Sequence, residues 1–218
     1  TVGDNDNTII VVPGANGKVD RAYIDSIKSE LEKFDMVVLQ HEIPLETVHY
    51  VIEFCYEKGI KIVLNPAPAA AVPMEIIDKV TYVTPNEHEA VLIFGDELST
   101  EDLLRKYPEK LVITQGSRGV STCLKDGQIL NVPARKAQVV DTTGAGDTLN
   151  GAFSVQIAEG KAIEDALAYA NVAASLSTEK FGAQTGMPTA EEVETALKIL
   201  NGESVEKEIP VEMELITK

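Results

Sequence analysis

The chain has 218 residues, long enough for one sizeable hydrophobic core and compatible with one domain or two. Its formal charge of −16, from 35 acidic and 19 basic residues, argues against nucleic acid as a partner, and no apolar run approaches the length of a membrane span. Its two cysteines, Cys55 and Cys123, lack metal-ligand spacing, so reduced thiols in a cytoplasmic protein are expected.

The first residues, 3–7, read as a loop. Residues 8–12 read as a strand without an obvious partner, closed by the turn signal Pro13-Gly14-Ala15-Asn16-Gly17. From Asp20 a helical period sets Tyr23, Ile24, Ile27 and Leu31 on one face. A short buried strand at 36–40 ends at His41-Glu42, and a helix over 45–58 turns Val48, Val51, Ile52 and Cys55 inward. Strand 60–64 runs into Asn65-Pro66-Ala67-Pro68, where two prolines stiffen the chain. Strand 80–83, helices 87–94 and 100–106 and strand 111–114 follow.

After Gly116 the rhythm changes to an antiparallel hairpin, 120–124 and 128–132, turned by Asp126-Gly127. Residues 137–140 read as a strand entering Asp141, and a helix then runs through Val155, Ile157 and Ala158. Helices over 163–177 and 190–200 complete the pattern, the last stopped by Gly202. The tail 209–215 alternates like a strand that Pro210 would confine to a sheet edge. Short apolar strands alternating with helices predict an α/β fold: a doubly wound, mainly parallel sheet flanked by helices. In such folds ligands gather at the carboxyl ends of the strands, and the informative motifs fall there.

The most informative stretch is Asp141-Thr142-Thr143-Gly144-Ala145-Gly146-Asp147-Thr148-Leu149-Asn150-Gly151-Ala152-Phe153-Ser154. Small residues at 144–146 permit a tight turn whose N–H groups gather at a helix N-terminus, a place that attracts anions. Asp147 stands inside that anion site. A carboxylate there suits a base that takes a proton from a hydroxyl before the hydroxyl attacks phosphorus; the alternative is a glycine-rich turn with Asp147 as N-cap.

Residue by residue from Asp141 to Ser154, this run resembles the C-terminal signature of the ribokinase (PfkB) family of carbohydrate kinases. The resemblance implies that Asp147 is the catalytic base and that the backbone N–H groups of Gly144, Ala145 and Gly146 form the anion hole. It extends to Glu42, which would bind a sugar hydroxyl, and to Asn86 and Glu89, which would organise Mg²⁺ and its waters around the nucleotide phosphates. Asn86 and Glu89 also have capping-box spacing, and both roles can coexist. The loop Thr114, Gln115, Gly116, Ser117, Arg118 and Gly119 is similar to the family's nucleotide loop, and Asn171 falls where the family borders the adenine ring. Asp141, Thr143, Ser177, Lys180, Gly182 and Gly186 match the shell of a monovalent cation, typically K⁺, largely through main-chain carbonyls. Gly186 stands where a serine is often found, so a carbonyl or a water would complete that shell. His41 is expected to have a polar-loop or packing role rather than a catalytic one, and His49, inside a helix, a structural role.

The resemblance covers residues 8–200. It implies one ribokinase-like domain with 1–19 as a lid remnant and connector, 20–201 as the α/β core and 202–218 as a tail. The family's first sugar-binding aspartate and Gly-Gly-Lys-Gly-type segment have no counterpart here. The expectation is therefore the C-terminal portion of a longer kinase that dimerises through its lid. The implied reaction is transfer of the γ-phosphoryl group of ATP to the primary 5-hydroxyl of D-ribose, slow or absent for this chain alone. Fructokinase, nucleoside kinase, phosphofructokinase and hydroxymethyl-pyrimidine kinase activities are alternatives, as is a catalytically incomplete nucleotide-binding or assembly fragment.

Overall fold

Side chains alternate between two buried faces along short apolar strands, so the sheet needs helices on both sides. The structure, a computed structural model, describes residues 11–205 together with the backbone alone of residues 2–3 and 6–7. Strands β1 (Val2–Gly3) and β2 (Asp6–Asn7) form a small antiparallel pair. The main sheet begins with β3 (Met36–Gln40), β4 (Lys61–Asn65) and β5 (Tyr82–Val83), all parallel, with Gln40 opposite Asn65 in register. Parallel bridges from Val83 to Leu111 and from Asn86 to Thr114 carry it to β6 (Val112–Thr114). Strands β7 (Val120–Cys123) and β8 (Ile129–Val132) continue it antiparallel.

One face of the sheet presents Ile62, Leu64, Leu111, Ile113 and Cys123 to α1 (Arg21–Leu31), α2 (Leu45–Lys58), α3 (Met74–Lys79), α4 (Glu87–Phe94) and α5 (Thr100–Lys106). The opposite face presents Val63, Val112 and Val120 to α6 (Ala145–Ala158) and α7 (Ile163–Ser177). Phe153 of α6 is wholly buried and meets Tyr82 edge to face, with ring centroids 5.1 Å apart. Ala166 and Ala170 are also wholly buried, and their small side chains let α7 approach closely. Helix α8 (Ala190–Leu200) packs Val193 against Val172 and Ala173 of α7. The result is the expected doubly wound helix–sheet–helix sandwich. Among the described residues, no helix is long and apolar enough to cross a membrane.

Several expectations fail locally. Residues 2–3 and 6–7 pair where a loop is expected. Val11 and Val12 lie outside any strand and are exposed, consistent with a run that has no pairing partner. The rest of that strand, 8–10, and the tail 209–215 lie outside the described residues. Tyr23 and Val155 are more than half exposed despite their helical spacing, because the sheet covers only part of each helix. Residues 137–140 form an irregular strap rather than a strand. Its backbone is tied by Val140 N–H and Asp141 N–H, both donating to the Thr178 carbonyl. Helix α3 escapes periodicity because it has six residues after the proline-rich 66–73 run, yet its Ile76 and Ile77 are core.

Candidate functional site

Each parallel strand delivers a polar residue at its carboxyl end, and α6 points its N-terminus at the same edge. Gly144 is the N-cap of α6, with φ 81°, a left-handed conformation that favours glycine. Asp147 therefore lies inside the first helical turn, which removes the reading of Asp147 as N-cap. A Cβ on Gly144 would stand 3.1 Å from Ala183, so the turn packs closely on the 182–186 loop. A Cβ on Gly146 would meet nothing within 4 Å, so its bareness leaves the approach to the turn open.

The turn's donors are not equivalent. Ala145 N–H donates to the Thr142 carbonyl at 3.2 Å. Among the described residues, the N–H groups of Gly144, Gly146 and Asp147 have no acceptor. These are the orphan donors of a helix start, directed at the sheet's carboxyl edge. The carboxylate of Asp147 is exposed, and its Oδ1 accepts a 2.6 Å hydrogen bond from Gln40 Nε2 at the end of β3.

Beside the turn lies a cavity of about 640 Å³, a common size for a small-molecule site. Thr114, Gly116, Ser117 and Gly119 form one wall, and Ala145, Gly146 and Leu149 of α6 form another. Asn171, Ala174 and Ser175 of α7 and the strap residues Arg135, Lys136, Ala137 and Val139 close it. Gly119 has φ 94°, and a Cβ there would fall 1.9 Å from the Val132 carbonyl oxygen, so no side chain fits. Asn171 is buried and donates from Nδ2 to the carbonyls of Val132 (3.2 Å) and Pro133 (2.7 Å), anchoring the strap's root. Two residues of the expected nucleotide loop turn elsewhere: Gln115 accepts from Ser121 Oγ, and Arg118 pairs with Glu87 at the surface.

Asn86 and Glu89 form a complete capping box for α4. Asn86 N–H donates to Glu89 Oε2 at 2.8 Å, and Glu89 N–H donates to Asn86 Oδ1 at 2.9 Å. Glu89 is buried, and that desolvation raises its pKa against the lowering effect of the Asn86 bond. Among the described residues, no three His, Cys, Asp or Glu side chains gather as a metal cluster. A single carboxylate fits an ion held mainly by phosphate and water, as Mg²⁺ is.

Asp141 joins two loops. Its Oδ1 accepts from Thr143 N–H and its Oδ2 from Gly182 N–H, both at 2.9 Å, and the donors at Thr143 and Gly182 lower its pKa. Next to this junction, the carbonyl oxygens of Ser177, Gly182 and Lys180 converge on the space in front of Gly186. They lie 2.6, 2.9 and 3.5 Å from where a Cβ would stand. Here a side chain at 186 would occupy the focus of those oxygens. Carbonyl oxygens are the donors a monovalent cation such as K⁺ takes, although the Gly182 carbonyl already accepts from Gly186 N–H at 2.8 Å.

Glu42 lies exposed in the loop after β3. His41 Nδ1 contacts the Pro68 carbonyl at 3.1 Å, and burial lowers its pKa; His49 sits on α2. Among the described residues, their Nε2 atoms are buried without hydrogen-bond partners.

Sequence reasoning missed the strap and gave no role to the strand-end side chains of Gln40, Asn65 and Thr84. The strap's apolar residues imitate a strand. Gln40, Asn65 and Thr84, by contrast, carried a signal: each closes an apolar run at the sheet's carboxyl edge.

A model of the pfkB family of carbohydrate kinases matches residues 1–190. The ribokinase of Bacillus subtilis is 50% identical over 196 residues, covering 90% of this chain and 66% of the relative. The crystal structure of ribokinase from Thermotoga maritima superposes with a TM-score of 0.78 at 35% identity, covering 89% of this chain and 66% of that one. Arabidopsis thaliana ribokinase, solved in complex with ribose and ATP, gives a TM-score of 0.76 at 30% identity over 89% and 66% of the two chains. The chain thus spans just under two thirds of the length of these relatives.

Proposed function

Since the chain belongs to the pfkB family of carbohydrate kinases, we propose that it carries out the phosphoryl-transfer part of an ATP-dependent ribose kinase. The observation that carries this reading is the position of Asp147, a carboxylate in the same helical turn as the N–H groups of Gly144 and Gly146, which have no acceptor among the described residues. The likeness to a ribokinase solved with ribose and ATP supports the choice of substrates.

In this reading ATP occupies the cavity between Gly116–Gly119 and the 134–139 strap, with its terminal phosphate at the α6 turn. Asp147 takes the proton of the sugar's primary hydroxyl as its oxygen attacks phosphorus. The turn's N–H groups hold charge that develops on the transferred group. Mg²⁺, when bound, neutralises phosphate charge; Glu89, with Asn86 at the head of α4, is the side of the site that would hold its waters. A K⁺ at the carbonyls of Ser177, Lys180 and Gly182 would brace the loop against which Gly144 packs. Glu42 contributes a sugar hydroxyl contact.

The test is product identification. Incubation with ribose, ATP and Mg²⁺ should yield ribose 5-phosphate by ³¹P NMR, and 5-deoxyribose should yield none. Transfer by this chain alone is expected to be slow, so phosphorylation of 5-deoxyribose refutes the reading, as does no sugar phosphate from ribose even on coexpression with the N-terminal segment of a pfkB kinase. The exposure of Asp147 favours one second reading, a nucleotide-binding module without transfer. An ATP-dependent rise in Tm without any sugar phosphate would decide for it.

A further inference from the structure

Five side chains join the catalytic turn to three successive strands through one directed set of hydrogen bonds. Gln40 Nε2 donates to Asp147 Oδ1 at 2.6 Å and to Asn65 Oδ1 at 3.3 Å. Asn65 Nδ2 donates to the Thr84 carbonyl at 3.1 Å. Thr84 Oγ1 donates to Asn150 Oδ1 at 2.5 Å, and Asn150 Nδ2 donates to the Gly146 carbonyl at 2.9 Å. The path leaves Asp147 and returns to the residue beside it.

This arrangement is costly unless complete. Asn65, Thr84 and Asn150 are buried, and a buried amide or hydroxyl without a partner is destabilising. Apolar side chains of similar size could have filled the same space without that risk. What a fully satisfied polar network adds is a fixed geometry. Its two ends, the Asp147 carboxylate and the Gly146 peptide, must share one geometry if a hydroxyl and a phosphate are to meet.

On the kinase reading above, we infer that Gln40 is a positioning residue for the base. It ties Oδ1 of Asp147 and leaves Oδ2 as the oxygen that accepts the sugar's proton, while Asn65, Thr84 and Asn150 fix Gln40 relative to the α6 turn. The proton passes from the primary hydroxyl to Oδ2. The hydroxyl oxygen bonds to the γ-phosphorus, and the bond to the β-bridging oxygen breaks, ADP keeping the electron pair. Gln40 donates throughout and is not consumed.

The test is Gln40→Leu alone, Asp147→Asn alone, and the two together, with kcat and KM for ATP measured for each. Gln40→Leu should lower kcat about 10- to 100-fold, the scale of one hydrogen bond to a charged group, with KM for ATP within about threefold. In the Asp147→Asn background the same change should cost less than about threefold, because the group it orients is no longer a base. A side-chain amide resonance of Gln40 that shifts in Asp147→Asn would report the contact without turnover. Active wild type with Gln40→Leu within threefold of it overturns the proposal, as do losses that multiply in the double variant. Wild type that transfers no phosphate even when coexpressed with the N-terminal segment of a pfkB kinase overturns the kinase reading and this positioning role with it. A Gln40 amide unmoved by Asp147→Asn shows that the contact itself is absent.

Discussion

Gly119→Ala is the substitution whose cost can be worked most fully from the structure. Gly119 has φ 94° and ψ −135°, outside the regions that L-residues enter readily. Holding alanine there costs roughly 1–3 kcal/mol. The new Cβ would also fall 1.9 Å from the Val132 oxygen, 2.7 Å from the Ala134 nitrogen and 2.8 Å from the Pro133 carbonyl carbon. All three are backbone atoms, so relief requires moving the root of the strap, and overpacking of this kind adds about 1–3 kcal/mol. A total near 3 kcal/mol corresponds to a Tm lower by about 6–12 °C for a chain of this size. Gly116→Ala is the control: its φ of 56° is also positive, but its Cβ would meet nothing within 4 Å. That leaves about 1 kcal/mol of backbone strain and a Tm fall of about 2–4 °C. Moving the strap also disturbs the two carbonyls that Asn171 holds, so Gly119→Ala should lose more ATP affinity than Gly116→Ala. Thermal denaturation with and without ATP measures both effects. Equal Tm losses in the two variants would refute the packing argument.

Glu89→Gln preserves an acceptor for the Asn86 N–H, so Tm should change little, while the dependence of turnover on Mg²⁺ should move to higher concentration; Glu89→Ala should lose stability by about 1 kcal/mol as well. Lys136 lines the cavity and forms no salt bridge among the described residues, so Lys136→Ala should weaken ATP binding more at low salt than at high salt, by calorimetry. For Asp141, the folded-state pKa is depressed, so its stabilising bonds are present above the ordinary carboxylate value and are lost as pH falls through the lower folded value. Amide exchange at Thr143 and Gly182 should accelerate in that acid window, and Asp141→Asn should abolish the step.

Much of this was legible in the chain because local and tertiary signals agree. The helix at 45–58 buries Val48, Val51, Ile52 and Cys55 as its periodicity requires, the helices at 163–177 and 190–200 form where expected, and the 120–132 hairpin turns at Asp126-Gly127 as its composition requires. The strap shows most clearly where such signals fail. Val139 and Val140 look like a buried strand by composition, yet they are exposed, and Val139 faces the cavity, because hydrophobicity does not distinguish a sheet face from a ligand wall. At the site, glycine spacing announced the α6 turn, and Asn86 with Glu89 announced a helix start. Nothing local announced that Gln40 reaches Asp147 across 107 positions, since that contact exists only once β3 and α6 are packed together.

The most direct measurement is kcat for Asp147→Asn beside calorimetric ATP affinity. An asparagine carbonyl can still accept from Gln40, so the fold and nucleotide cavity should persist, with ATP affinity within about threefold, while kcat falls about 10²- to 10⁴-fold, or roughly 3–5 kcal/mol. Sugar phosphorylation by Asp147→Asn at the wild-type rate would contradict the account.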